Sequence, residues 1–330
     1  MKYAKDTRPK GVSHKAAEVL VEALPWIKNI TGKTVVIKYG GSAMVDAQLR
    51  ADVMNDIVLL KIVGVNPVIV HGGGKAITEA MEFVNLPVEF KDGQRVTTPE
   101  AMDLVRTVLM GKVNQELVEA LNEHGNFAVG VSGADAGVIV AEQASPDLGR
   151  VGRITRINRP LLDDLVNADY IPVVASVALG EDGGFYNVNA DMVAGHIAAA
   201  IGAHKVVFLT DVDGLYENFE DKSTLISNLT LFEAQYMIEN NVVSTGMIPK
   251  LKSCVTALDA GVFRAHILNG TTPHSLLLEL LTSTGVGTTM HSTEEACKFD
   301  SHPLGNFASK LLENREQAAA PAAAAERFAG

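Results

Sequence analysis

Two apolar runs in this chain each end in a base and a knot of glycines. They are Val35-Val36-Ile37-Lys38-Tyr39-Gly40-Gly41-Ser42 and Val68-Ile69-Val70-His71-Gly72-Gly73-Gly74-Lys75. Consecutive glycines at a strand's carboxyl end bare backbone N–H groups, and a helix starting there adds its positive end, so each knot is a ready cradle for an anion. Lys38 closes a run of the kind found in parallel strands covered on both faces, where an unpaired ammonium is costly. A negative partner is expected beside it. Either knot alone reads equally as a tight strand-to-helix turn; two in neighbouring units point to ligand binding. His71 reads as a hydrogen-bonding brace for its loop rather than as a base.

Common phosphate patterns do not fit. A Walker A loop places a glycine four residues ahead of its Gly-Lys pair and Ser or Thr after it, whereas Gly74-Lys75 is preceded by Ile69 and followed by Ala76. The dinucleotide spacing Gly-x-Gly-x-x-Gly breaks at Ile77. Arg95 lies just past the Asp92-Gly93 turn signal, where its guanidinium could clamp a carboxylate from a hairpin overhanging the glycines. Asn187-Val188-Asn189-Ala190-Asp191 opens an alanine-rich helix; Asn189 suits the cap and Asp191 the first turn, which leaves Asn187 unexplained by capping. Ser244-Thr245-Gly246-Met247-Ile248-Pro249-Lys250 opens another, where Lys250 opposes the macrodipole unless an anion or Asp191 faces it. Thr210-Asp211-Val212-Asp213-Gly214 follows an apolar run and could edge a nucleotide pocket, although Asp213-Gly214 is also an ordinary turn.

The elements that must carry these residues alternate. Strands are predicted over 34–39, 67–71, 126–131, 171–175, 205–210 and 263–268. Helices are predicted over 46–63, 75–84, 99–123, 190–201, 230–240, 249–260 and 273–281, with a hairpin over 88–97. Short strands near 138–143 and 150–157 and a helix near 160–168 fill the middle. Such alternation implies a parallel-rich sheet with helices on both faces and ligands at the strands' carboxyl ends. Ahead of the first strand, an amphipathic helix over 13–28 carries Ala16, Val19, Leu20, Ala23, Leu24 and Ile27 on one stripe, with Pro25 expected to kink or end it. It either packs on its own subunit or reaches another.

The 330 residues, 47% of them hydrophobic, supply one large α/β core or two lobes. A net charge of −11 without a basic stripe argues against nucleic acid or an anionic membrane as partner. Cys254 and Cys297 are the two cysteines, too few and too far apart for a disulfide framework or a metal site. No apolar window approaches the ~18 residues of a membrane helix, and a cytoplasmic chain is expected. Residues from Gln317 onward are mostly alanine and read as a tail without chemistry.

In this order, Lys38-Tyr39-Gly40-Gly41, His71-Gly72-Gly73-Gly74, the Arg95 hairpin, Asn187 to Asp191, Thr210 to Gly214 and Gly246-Met247 with Lys250 resemble the amino acid kinase superfamily, and within it the N-acetylglutamate kinase family. The resemblance covers residues 13 to 291. It implies an αβα sandwich with an open, mainly parallel central sheet, plus the kinked N-terminal helix. The implied division is an oligomerisation segment 1–30, an acyl-substrate lobe 31–185, an ATP lobe 186–300 and a tail 301–330. It further implies phosphoryl transfer from ATP, with Mg2+ held through phosphates and water and no protein metal ligand, to the side-chain carboxylate of N-acetyl-L-glutamate. Lys38 and Lys250 would flank the phosphoryl group, Asp191 would orient both, and Gly40, Gly41, Gly73 and Gly74 would donate N–H groups to developing charge. Arg95 and Asn187 would hold the acyl substrate, while Thr210, Asp211, Gly246 and Met247 would border the nucleotide. The leading helix and the segment from His266 to Thr288 resemble the arginine-inhibited branch. That implies a homohexamer built as a trimer of dimers, and an L-arginine site with His266, Glu279, Gly285 and Gly287 as contacts.

Overall fold

A computed structural model of the chain describes residues 10–44, 46–240, 242–282 and 285–292. The expected tail over 301–330, the first nine residues and Cys297 lie outside the described residues.

The elements follow in the order α1 (Lys10–Ile30), β1 (Thr34–Tyr39), α2 (Ala47–Ile62), β2 (Asn66–His71), α3 (Gly74–Phe83), β3 (Phe90–Lys91), β4 (Gln94–Arg95) and α4 (Pro99–Val108). A π-helical turn, Leu109–Asn114, joins α4 to α5 (Gln115–Asn122). Then come β5 (Ala128–Ser132), β6 (Ile139–Gln143), β7 (Gly152–Ile157), α6 (Pro160–Asn167), β8 (Ile171–Ala175), β9 (Val177–Gly180), β10 (Phe185–Asn187) and α7 (Ala190–Ile201). The chain continues through β11 (Lys205–Thr210), β12 (Asn228–Thr230), α8 (Leu231–Glu239), α9 (Ile248–Asp259), β13 (Arg264–Asn269), α10 (Ser275–Leu281) and β14 (Thr288–His291).

Eight strands form the central sheet in the order β12-β14-β13-β11-β1-β2-β8-β5, all neighbours parallel except β13 and β14. β1 sits inside it, with Lys38 in register with Phe208 of β11 and Val70 of β2. Side chains alternate between the faces of the sheet. Val35, Ile37 and Tyr39 join the core under α2, α3, α4, α5 and α10; Val36 joins the core under α6, α7, α8 and α9. The helices thus separate cleanly into two outer layers. Lys38 shares the face of Val36, which turns it toward α7 and α9. A second sheet, β10-β9-β6-β7, and the β3–β4 hairpin lie outside the main one.

Three expectations need refinement. Of the kink or end expected at Pro25, the end does not occur, since α1 runs on to Ile30; the Val21 carbonyl that loses its donor belongs to an exposed residue. The single helix expected over 99–123 is interrupted by the π-helical turn. β9, β10, β12 and β14 had no expected strand, being three or four residues each, too short to show alternation. Among the described residues no helix is long and apolar enough to cross a membrane.

Candidate active site

The chemistry converges where β1, α7 and α9 meet. Asn189 caps α7, its side chain accepting from the Asp191 N–H at 2.8 Å and the Met192 N–H at 3.3 Å, and this fixes Asp191 in the first turn. The Lys250 ammonium donates to Asp191 Oδ2 at 3.0 Å. That of Lys38 lies 2.9 Å from Oδ1 as an ion pair, without the angle of a hydrogen bond. Burial pushes the Asp191 carboxyl up, but the two ammonium groups outweigh it and its pKa lies below the usual carboxylate range. Two cations share one anion, so the cluster keeps a positive excess for a further anion.

Close packing sets these distances. A Cβ on Gly195 of α7 would stand 2.6 Å from the Ser253 carbonyl oxygen of α9, so glycine lets the two helices approach. A Cβ on Gly40 would meet the Lys38 ammonium at 3.0 Å: the lysine folds back over its own glycine turn. Gly41, at φ +75, occupies the left-handed region.

The two glycine turns border a cleft of about 970 Å³ lined by Gly41, Gly73, Gly74, Lys75, Arg50 and Lys112, among others. Arg95 is buried rather than solvated. Its Nη2 donates to the Gly74 carbonyl at 2.9 Å and to Thr78 Oγ1 at 2.6 Å, with the guanidinium over the Phe90 ring. Among the described residues no carboxylate pairs with it, and burial lowers its pKa. Asn187 is linked to Arg95 through Thr97, donating from Nδ2 to Thr97 Oγ1 at 3.2 Å, while that hydroxyl donates to the Arg95 carbonyl at 3.0 Å. His71 braces its loop, as its sequence context suggested.

The remaining expected residues stand at the rim. Thr210 and Asp211 end β11, beside β1, with a hydroxyl-to-carboxylate bond of 3.1 Å. Gly246 and Met247 form the turn that leads into α9. No hydrogen bond or ion pair joins these four to either lysine among the described residues. Thr78 and Thr97, which hold Arg95 and Asn187, were missed; Thr78, one helical turn after Gly74, had the only positional signal.

The expected effector residues form a separate group. Glu279 of α10 is buried; its Oε1 accepts from His266 Nδ1 at 2.7 Å and Thr289 Oγ1 at 2.8 Å, its Oε2 from the Val286 N–H at 2.8 Å and the Gly287 N–H at 3.3 Å. Burial raises the Glu279 carboxyl, but these donors, His266 foremost, bring it down to about 2. Burial holds His266 down to about 4, so a neutral imidazole donates to an ionised carboxylate. A Cβ on Gly285 would meet Glu279 Oε2 at 2.7 Å, and one on Gly287 would stand 2.3 Å from the Ile267 carbonyl oxygen.

Two ammonium groups around one buried carboxylate, beside the glycine turns that follow β1 and β2, sit on an open, mainly parallel α/β sheet. The model of the amino acid kinase family matches residues 33–269, and the chain belongs to that family, with its fold. Curated relatives narrow the branch. The acetylglutamate kinase of Caldanaerobacter subterraneus subsp. tengcongensis is 50% identical over 274 residues, 82% of this chain and 92% of that protein. That of Corynebacterium glutamicum is 48% identical over 279 residues, 82% of this chain and 87% of the relative. This chain is a kinase of their branch. Among solved structures, N-acetylglutamate synthase from Neisseria gonorrhoeae, complexed with coenzyme A and N-acetyl-glutamate, superposes with a TM-score of 0.73 at 25% identity; the match covers 83% of this chain and 63% of that longer one. Carbamate kinase from Giardia lamblia, at a TM-score of 0.59 and 15% identity over 79% of this chain and 99% of its own, shares the fold.

Proposed function

We propose that this kinase phosphorylates the side-chain carboxylate of N-acetyl-L-glutamate from ATP, forming an acyl phosphate on the route to arginine. The observation that carries the reading is the pairing of Lys38 and Lys250 on Asp191 at 2.9 and 3.0 Å. Two ammonium groups held by one carboxylate can neutralise a transferring phosphoryl group from both sides. Glycine N–H groups of the 40–41 and 72–74 turns add donors where charge develops, and catalysis is positioning and electrostatics. Arg95, a buried cation with no carboxylate partner among the described residues, suits the α-carboxylate, and Asn187 the acetamido end. Thr210, Asp211, Gly246 and Met247 border the nucleotide. In this reading residues 31–185 form the acyl lobe and 186–300 the nucleotide lobe.

Magnesium fits as an ion arriving on the triphosphate. Asp191 is already committed to two lysines, and a hard ion that keeps its waters needs few protein ligands. Bound there, it would screen phosphate charge.

L-Arginine inhibition is part of the proposal. His266, Glu279 and the 285–287 loop converge, and an ionised buried carboxylate suits a guanidinium. On α1, Ala23 and Ile27 pack on the core, whereas Val19, Leu20 and Leu24 are exposed. That apolar face supports an arm joining dimers into a hexamer.

The test is a hydroxylamine-trapped acyl-phosphate assay with Mg-ATP, with glutamate and aspartate as controls, repeated with arginine. Hydroxamate from acetylglutamate alone, suppressed by arginine, is expected. Product from a control instead would assign a sister kinase, and binding of arginine without any hydroxamate would make the chain a sensor.

A further inference from the structure

The π-helical turn between α4 and α5 packs directly beneath the triple-glycine loop. A Cβ on Gly73 would stand 2.7 Å from Leu109 Cδ2 and 3.2 Å from Val113 Cγ2, both within that turn. The extra residue of a π turn is a recurrent feature of functional sites, and here it carries a buried polar side chain, Asn114, into an apolar layer.

The Asn114 amide touches three strands of the sheet. Nδ2 lies 2.8 Å from the Val173 carbonyl oxygen of β8 and 2.9 Å from His71 Nε2 at the end of β2. Oδ1 faces Gly130 of β5, where a Cβ would stand at 2.0 Å. This orientation is dictated: with the amide reversed, Oδ1 would oppose the Val173 carbonyl, acceptor against acceptor. An NH2 group can only donate, so His71 Nε2 must accept. The ring proton is then on Nδ1, which lies 3.0 Å from the Gly72 carbonyl oxygen and donates to it. Burial lowers the His71 pKa to about 4, which keeps the ring neutral, and the two contacts then select the tautomer.

The consequence lies in the next peptide. The Gly72 carbonyl and the Gly73 N–H share one planar trans unit and point in opposite directions. Anchoring the carbonyl on the buried imidazole aims the N–H the other way, and Gly73 lines the cleft. No protein acceptor takes that N–H among the described residues. We propose that Asn114 is a positioning residue for phosphoryl transfer: from the π turn it selects the His71 tautomer and so fixes the direction of the Gly73 N–H. This rests on the kinase reading given above.

Replacing Asn114 by alanine leaves the Val173 carbonyl without its side-chain donor, frees the imidazole to change tautomer, and touches nothing in the cleft. The Asn114→Ala enzyme should melt as a cooperative unit and lose about ten- to a hundredfold in kcat, the scale of a small misplacement, with KM for ATP and acetylglutamate little changed. Gly130→Ala should reduce kcat by driving its methyl into Oδ1, yet add no further loss in the Asn114→Ala background, because the two act through one group. A folded Asn114→Ala enzyme with unchanged kcat, or a Gly130→Ala loss of equal size in both backgrounds, overturns the proposal. Should either variant fail to fold, 15N NMR of the wild-type ring decides. A proton on Nδ1 with a bare Nε2 from about pH 5 to about pH 8 is expected for a buried neutral histidine, and the opposite tautomer overturns the proposal. The spectrum needs no substrate, so it judges the proposal even if the wild-type chain makes no hydroxamate and the kinase reading falls.

Discussion

Two buried carboxylates, Asp191 and Glu279, solve the same problem in opposite ways. Both oxygens of Asp191 face ammonium groups, so the carboxylate is outnumbered and the surplus charge is available to an anion. Both oxygens of Glu279 are held by neutral donors: an imidazole N–H, a hydroxyl and two backbone N–H groups. Glu279 therefore keeps its own charge while its hydrogen-bonding capacity is filled. A cation reaching it has to exchange with a donor already there. In the reading proposed above, the first arrangement serves chemistry on a phosphate and the second serves recognition of a cationic effector.

Asp191→Asn is the sharpest way to break this contrast. It leaves two ammonium groups adjacent without their anion. We expect turnover to fall by about a thousandfold or more, and stability to drop by about 3–5 kcal/mol, as when one partner of a buried ion pair is removed. Activity assays and thermal melts measure both, and a small loss in either would mean that the lysines are held by something other than this carboxylate.

Arg95→Ala comes next. Charged hydrogen bonds contribute about 1.5–3 kcal/mol each, so KM for acetylglutamate should rise about ten- to a hundredfold with kcat less affected. An unchanged KM would make the guanidinium a brace for α3.

Glu279→Gln should have the smallest effect on turnover while weakening inhibition by arginine. Its stability effect has a defined sign. A carboxyl brought down to about 2 in the folded state stabilises the fold above its ordinary range, and loses that contribution as pH falls toward 2. The melting difference between wild type and Glu279→Gln should therefore be largest near neutral pH and shrink in acid. A difference independent of pH would place the carboxylate's role outside its charge.

Much of this was legible in the sequence because the signals were local. The β1 and β2 runs, their glycine knots, the Asn189 cap and the Pro249 helix start are read from adjacent residues, and the resemblance set them in order. Lys38 announced its partner, since an apolar strand does not end in a cation without one. What was not legible depends on contacts distant in sequence. Arg95 was legible as a candidate clamp on a hairpin, but its burial against Gly74 and Thr78 comes from how the hairpin folds onto α3. Asn114 sits beside Val113 in what reads as continuous helix, and the π turn that holds it packs against Gly73 far away in sequence. The short strands β12 and β14 depend on neighbours distant in sequence: β14 pairs with β13, and the edge strand β12 pairs with β14.

The central claim is that Lys250 acts on the transferring phosphoryl group and leaves recognition of the acyl substrate to Arg95 and Asn187. The most direct measurement is hydroxamate turnover of Lys250→Ala alongside calorimetric binding of acetylglutamate to the same protein. We predict a loss of about a hundred- to a thousandfold in turnover, the scale of removing one electrostatic donor from a transition state, with acetylglutamate bound as in the wild type. Near-normal turnover would remove Lys250 from the chemistry and contradict the account.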